Sequence, residues 1–317
     1  MRLDFQDSLR CITEQTPIST SDLYGLSGMG EKEMKRFVQA WSKVPIERRR
    51  RILKLLVELT EFSFVVDFGA AFRLCLTDED AKVRKTAIEG LWEDKDVVLM
   101  DTLVRMLKND PSAQVRATAA TALGRFVLLG ELGKLKTGFQ ASAEEALLEA
   151  IHSDSQALEV RRRAVESIAC SGRQEVRSII EAAYHHEHEK MRVSAVFAMG
   201  RSADPYWSET VIAELASPDS EMRYEAACAC GELEVPDLVP YLAALIRDPD
   251  REVQEASIWA LGHVGGNEAQ RILEECYEDG DEYLCEAAEK ALEYLEFMRG
   301  SSAIPSLDDN LEDEMDG

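Results

Sequence analysis

The sequence predicts an all-α chain: an α-α superhelix, or solenoid, of about seven stacked helix pairs with an N-terminal helical cap. Three observations predict it. First, a pattern of the form Val/Met-Arg-x-x-Ala-x-x-Ala-Leu-Gly returns at anchors Val83, Val115, Val160, Met191, Met222, Val253 and Leu284, spaced by 32, 45, 31, 31, 31 and 31 residues. A period of that length marks a repeat architecture. Second, small residues recur four positions after the anchor (Ala87, Ala119, Ala164, Ala195, Ala226, Ser257, Ala288) and again seven after it, with apolar residues eight after. Offsets 0, 4, 7 and 8 share one face of a 3.6-residue helix, so that face packs closely on a neighbour. Third, an apolar helical stretch precedes each copy, as at Val97 to Leu107, Val211 to Ala216 and Leu238 to Ile246, and no strand-rich region competes. One such pair cannot bury its apolar face alone, whereas stacked pairs share a core.

Residues 1–60 lie outside the clear repeat. Two amphipathic stretches, EKEMKRFVQAWSKV and IERRRRILKLLVEL, break at Pro45 and read as the cap that a repeat array needs at its exposed end. The basic run Arg48 to Arg51 spreads around a helix and reads as a solvated face. The array itself is expected over 61–299. Asp110-Pro111, Ser217-Pro218 and Asp248-Pro249 mark its joints, and Pro205 and Pro236 mark starts of first helices. Gly200, Gly231 and Gly262 read as second-helix ends. The 45-residue interval holds about 14 extra residues near 128–142, expected to form a loop or a lengthened helix end. Residues 300–317, with their run SLDDNLEDEMDG, read as an acidic disordered tail.

The segment DPSAQVRATAATALG (110–124) closely resembles the short HEAT-type repeat of phycobilisome bilin lyases, and the resemblance covers roughly residues 61–298. Stretches such as Met191-Arg192 through Met199-Gly200-Arg201 look like a group of bacterial HEAT-repeat proteins of undefined role. The resemblance implies the HEAT-like solenoid fold. It constrains function far less, because this scaffold serves many roles. It also allows one enzyme class to be tested. Deoxyhypusine hydroxylases bind two irons through His-Glu pairs in the arginine-bearing helix. The matching positions here include Lys85-Thr86, Arg162-Arg163, Val193-Ser194 and Tyr224-Glu225, and none is His-Glu. HEAT-like DNA glycosylases hold DNA on a basic face, which this chain's charge opposes.

That charge is very uneven. Residues 1–203 carry 30 Lys+Arg and 30 Asp+Glu, whereas residues 204–317 carry 6 and 30, so the whole net charge of −24 sits in the last third. Such a field repels nucleic acid and anionic lipid and attracts basic partners. It is also what solvated acidic helix faces produce. No run of eighteen apolar residues suggests a membrane span, and the N-terminus lacks a signal-peptide core, so a cytoplasmic chain is the expectation. Seven cysteines without a Cys-x-x-Cys pair read as small packed side chains in a reducing compartment rather than redox or zinc ligands.

The arginine after the anchor recurs as Arg84, Arg116, Arg161, Arg192 and Arg223, with an acid a few residues upstream in most units. A residue present in every repeat serves stacking, so these five read as a structural ladder. His185-His186-Glu187-His188-Glu189 falls on a joint and is not His-Glu-x-x-His, so a solvated loop is expected and no metal site. The local exception is a stripe at offset 6, which holds Phe197 and Trp259. Tyr224, His263 and Tyr294 lie near it on the helical wheel, ringed by Glu225, Glu232 and Glu255. Aromatic anchors in polar surroundings suit a binding hot spot. Side chains bordering the core can equally pack between repeats.

The expectation is therefore a non-enzymatic scaffold or adaptor, a monomer or weak oligomer without cofactor, binding a protein partner through a basic segment. The eight candidate binding residues are Phe197, Tyr224, Glu225, Glu232, Glu255, Trp259, His263 and Tyr294. Two alternatives stand beside it. One is a bilin lyase or related chromophore-handling protein. The other is a regulatory subunit whose N-terminal helices dock another enzyme.

Overall fold

The computed structural model describes residues 4–14, 16–63, 65–136 and 138–302. Most of the expected acidic tail, 303–317, lies outside the described residues. The chain opens with α1 (Phe5–Thr13), a 3-10 segment Thr20–Leu26, α2 (Glu31–Trp41) and α3 (Ile46–Phe62). There follow α4 (Gly69–Cys75), α5 (Ala81–Glu89), α6 (Val97–Asn109), α7 (Ala113–Glu131), α8 (Phe139–His152), α9 (Leu158–Ile168) and α10 (Glu175–Tyr184). The remainder is α11 (Glu189–Arg201), a 3-10 turn Pro205–Trp207, α12 (Ser208–Glu214), α13 (Ser220–Leu233), a second 3-10 turn Pro236–Leu238, α14 (Val239–Leu245), α15 (Arg251–Val264), α16 (Gly266–Asp279) and α17 (Glu282–Ser302). Every regular element among the described residues is helical.

The chain divides into two compact units, Met1–Val176 and Arg177–Gly317. In the first unit the second helices stack in succession, α3 on α5, α5 on α7 and α7 on α9. In the second unit α11 packs on α13, α13 on α15 and α15 on α17, while α12, α14 and α16 each lie against the helix that follows. The core is the shared inner face. Val83, Val115, Val160, Met191, Met222 and Val253 are all buried, as are the small residues four positions on.

Aspartates organise several of the joints. Asp80, Asp219 and Asp250 cap α5, α13 and α15 by accepting backbone N–H groups of the first turn. At two joints a second aspartate receives the arginine of the preceding repeat. Arg84 grips Asp110 through Nε and Nη2, both at 2.7 Å, while Asp110 also accepts the Ser112 N–H. Arg223 grips Asp248 at 2.7 and 2.9 Å, and Asp248 accepts the Asp250 N–H. The same arginines close their own joint, Arg84 through Nη1 on the Asp78 and Glu79 carbonyls and Arg223 through Nη1 on that of Ser217. Arg116 and Arg192 likewise donate to joint carbonyls, Arg116 also meets Gln156 at 3.0 Å, and Arg161 donates to the Ile151 carbonyl. Of the two repeats that lack the arginine, with Gln254 and Cys285 in its place, the first uses Gln254 to reach the Asp248 carbonyl at 2.6 Å.

Two sequence expectations need correction here. The Arg48–Arg51 run is not simply a solvated face. Arg48 donates to the Ile12, Thr16 and Cys11 carbonyls, Arg49 is buried against Val44 O, Asp78 and Glu79, and Arg50 grips Asp80. Joint carboxylates and unpaired carbonyls supply partners that a wheel diagram of α3 alone does not contain. Nor do Gly200, Gly231 and Gly262 end their helices, which run on to Arg201, Leu233 and Val264. They serve close approach. A Cβ on Gly200 would stand 2.6 Å from Ala229 Cα, one on Gly231 2.9 Å from Ala260 Cα, and one on Gly262 3.0 Å from Ala291 Cβ. Each glycine therefore packs on the small offset-7 residue of the next repeat.

The insertion lengthens α7 to Glu131, and its ends are tied. Gln140 bridges Glu131 and the buried Glu144, which accepts a 2.6 Å bond from Ser171.

Candidate functional site

The second unit carries an open cleft of about 720 Å³ across α11, α13 and α15. Phe197 enters from α11. Tyr224, Glu225, Cys228, Ala229 and Glu232 line it from α13, and Glu252, Glu255, Ala256 and Trp259 from α15. Ala229 in this lining is the residue on which Gly200 packs: the helices approach closely at offsets 7 and 9, leaving offsets 2 and 6 to project beside the seam.

Six of the eight candidate residues thus meet in one cleft. His263 and Tyr294 do not line it but continue its aromatic wall. The His263 ring stacks on Trp259 at 3.9 Å and on Tyr294 at 4.2 Å between centroids, and its Nδ1 lies 2.9 Å from the Trp259 carbonyl oxygen. Trp259 is both packed and open, since its indole lies over Gly231 while the residue stays 38% exposed. Phe197 is half-buried. Four lining residues lie outside the eight candidates: Cys228, which shares offset 6 with Phe197 and Trp259, together with Ala229, Ala256 and Glu252. Glu252 sits three positions before Glu255 and seven before Trp259, which places it on the same helical face. Extending the wheel one residue upstream of the anchor would have found it.

The cleft's charge is one-sided: among the described residues four glutamates line it and no cation does. Arg201 meets Glu232 from one edge at 3.4 Å. Burial nevertheless raises the Glu232 carboxyl above its ordinary range, opposed by Arg201 and His263. Glu255 accepts the Tyr283 hydroxyl. Burial pushes the Cys228 thiol up to about 12, with Glu225 acting in the same direction, and Tyr224 rises to about 12 beside that thiol. Cys228 is therefore a protonated, weakly nucleophilic thiol at neutral pH.

Elsewhere the chemistry is already spoken for. A hollow of about 570 Å³ in the first unit borders Phe68, Trp92 and Arg73, but Arg73 is paired with Asp94 and Asp96. In the histidine run, His185 packs edge-on against Tyr184, and His186 Nδ1 accepts the His188 N–H at 3.0 Å. Among the described residues no group of three or more His, Cys, Asp or Glu side chains converges to hold a metal ion. None of their helices is long and apolar enough to cross a membrane.

The HEAT-repeat profile matches residues 70–157 and 208–293, more than half of the chain. This chain belongs to the HEAT-repeat family. The chain also resembles solved structures, of which the phycocyanin lyase complex supports the fold. The complex of CpcE and CpcF of phycocyanin lyase from Nostoc superposes with a TM-score of 0.55 at 14% identity, covering 89% of this HEAT-repeat chain and 98% of that one. Importin beta gives 0.47 at 14% identity, over 91% of this chain and 46% of its own. The Escherichia coli protein YibA gives 0.43 at 17% identity, over 77% and 95%. No curated protein sequence matches the chain.

Proposed function

We propose that this HEAT-repeat protein is a non-enzymatic scaffold that grips a basic segment of a partner protein in the α11–α13–α15 cleft. The observation that carries the reading is the convergence of Phe197, Tyr224 and Trp259 with four glutamates and, among the described residues, no cation in one open cleft. Aromatic faces supply apolar area and a negative quadrupole, and the carboxylates supply charge, so the complementary surface is a cation on an apolar stem. The last third's acidity adds a long-range field that draws such a segment in.

The test is a pull-down from native extract followed by the double substitution Phe197→Ala with Trp259→Ala. Loss of the captured partner by the folded double variant supports the cleft. An unchanged partner set removes it.

A chromophore-handling role, suggested by the likeness to the phycocyanin lyase complex, fits the cleft less well. A linear tetrapyrrole bears propionate carboxylates, which the four glutamates would repel. Docking of another enzyme through the N-terminal helices fits less well too, because Arg48, Arg49 and Arg50 are already engaged within the unit.

A further inference from the structure

The second unit already shows how this chain seats a guanidinium. Arg177 lies over the Tyr206 ring at 4.6 Å and pairs with Asp204. Arg251 lies over the Tyr283 ring at 5.2 Å and pairs with Asp281 at 3.0 Å. The first unit repeats the arrangement in its interior, where Arg49 lies 6.0 Å from the Trp41 ring and 3.1 Å from Asp78. In each case the guanidinium carbon lies over an aromatic ring and a carboxylate takes an N–H of the group. The cleft offers both halves of that arrangement and lacks the arginine. Tyr224 and Trp259 supply the rings, Glu252 and Glu255 on α15 supply carboxylates, and among the described residues neither arginine nor lysine lines it.

Resting on the basic-segment reading above, we infer that the cleft is a seat for an arginine side chain of the partner, selecting guanidinium over ammonium. A guanidinium stacks flat on an aromatic ring, loses little on leaving water, and presents a fork that two carboxylate oxygens can take together. A lysine ammonium is compact and strongly hydrated, so it gains from the charge of the cleft but not from its flat walls. The stack of Trp259 on His263, and of His263 on Tyr294, holds the indole in place before any ligand arrives, which lowers the ordering cost of binding.

The test uses the full chain and two synthetic peptides of equal length and charge, one alternating alanine with arginine and the other alanine with lysine. Affinities are measured by titration calorimetry at an ionic strength of about 0.15 M, where unspecific attraction is partly screened. The arginine peptide should bind about five- to tenfold more tightly. Trp259→Leu should bring that ratio close to one while leaving weaker, charge-driven binding of both peptides. Because Trp259 also covers Gly231, Tyr224→Leu is run beside it and circular dichroism confirms that both variants are folded. Equal affinities, or a ratio unmoved in both folded variants, overturn the arginine seat but leave the basic-segment reading standing. Binding of neither peptide overturns that reading as well.

Discussion

The indole of Trp259 lies directly over Gly231 of the preceding repeat: a Cβ built on Gly231 would come within 2.5 Å of the ring and 2.9 Å of Ala260 Cα. Packing of one repeat on the next and the shape of the cleft thus meet at one position. Alanine is the better helix former by about 1 kcal/mol. Gly231→Ala should nevertheless destabilise the chain by about 1–3 kcal/mol, the usual range for overpacking. It should also displace the indole and weaken capture of the basic partner. Urea unfolding with a parallel binding assay checks both, and a stabilised variant would show that the two helices have room to part.

The Arg84–Asp110 pair is nearly enclosed, with side chains only 11% and 7% exposed. Arg84→Ala leaves Asp110 with a buried charge and opens the Asp78 and Glu79 carbonyls. The expected loss is about 3 kcal/mol, at the low end for broken buried pairs because some solvent reaches the arginine. Arg84→Lys should recover less than half of it, since an ammonium cannot make the two-pronged contact. Chemical denaturation of the three proteins decides this, and equal stability of all three would reduce the ladder to decoration.

Acid should weaken the array at its joints. The Arg50 guanidinium holds the Asp80 carboxyl at about 2, and Arg223 holds Asp248 below its ordinary range. A carboxyl whose folded value is depressed contributes stability above its unfolded value, near 4, and loses it as pH falls toward the folded value. The stability gap between the native chain and Asp80→Asn should therefore be full above about pH 5 and close between about pH 4 and 2. Thermal melts across that window measure it, and a gap independent of pH would contradict the pairing.

Cys228 and Cys230 should resist alkylation in the folded chain. Burial pushes both thiols up to about 12, so little thiolate exists at neutral pH, and only thiolate reacts. Mass spectrometry after iodoacetamide at about pH 8 should find both unmodified until denaturant is added, the unfolded thiol titrating near 8.5. Rapid labelling of Cys228 without denaturant would instead mark it as an accessible, reactive thiol.

The 31-residue period was enough to foretell helix pairs, their joints and the small-residue seam, because stacking imposes the same local chemistry on each repeat. It also singled out Phe197, Tyr224 and Trp259, since a residue that breaks a repeated pattern is not needed for the stack. What the period could not supply was any partner lying in another element. Whether Arg49 is solvated depends on Asp78 and Glu79, some thirty residues away. Whether Gly231 ends a helix or admits a neighbour depends on where Ala260 and Trp259 come to rest. Periodicity along one helix assigns a residue to a face, and only packing between helices decides what that face meets. That is why the repeat and the offset-6 stripe could be read in the chain, whereas the cleft, its added Glu252, and the packing of His263 between Trp259 and Tyr294 belong to the tertiary structure.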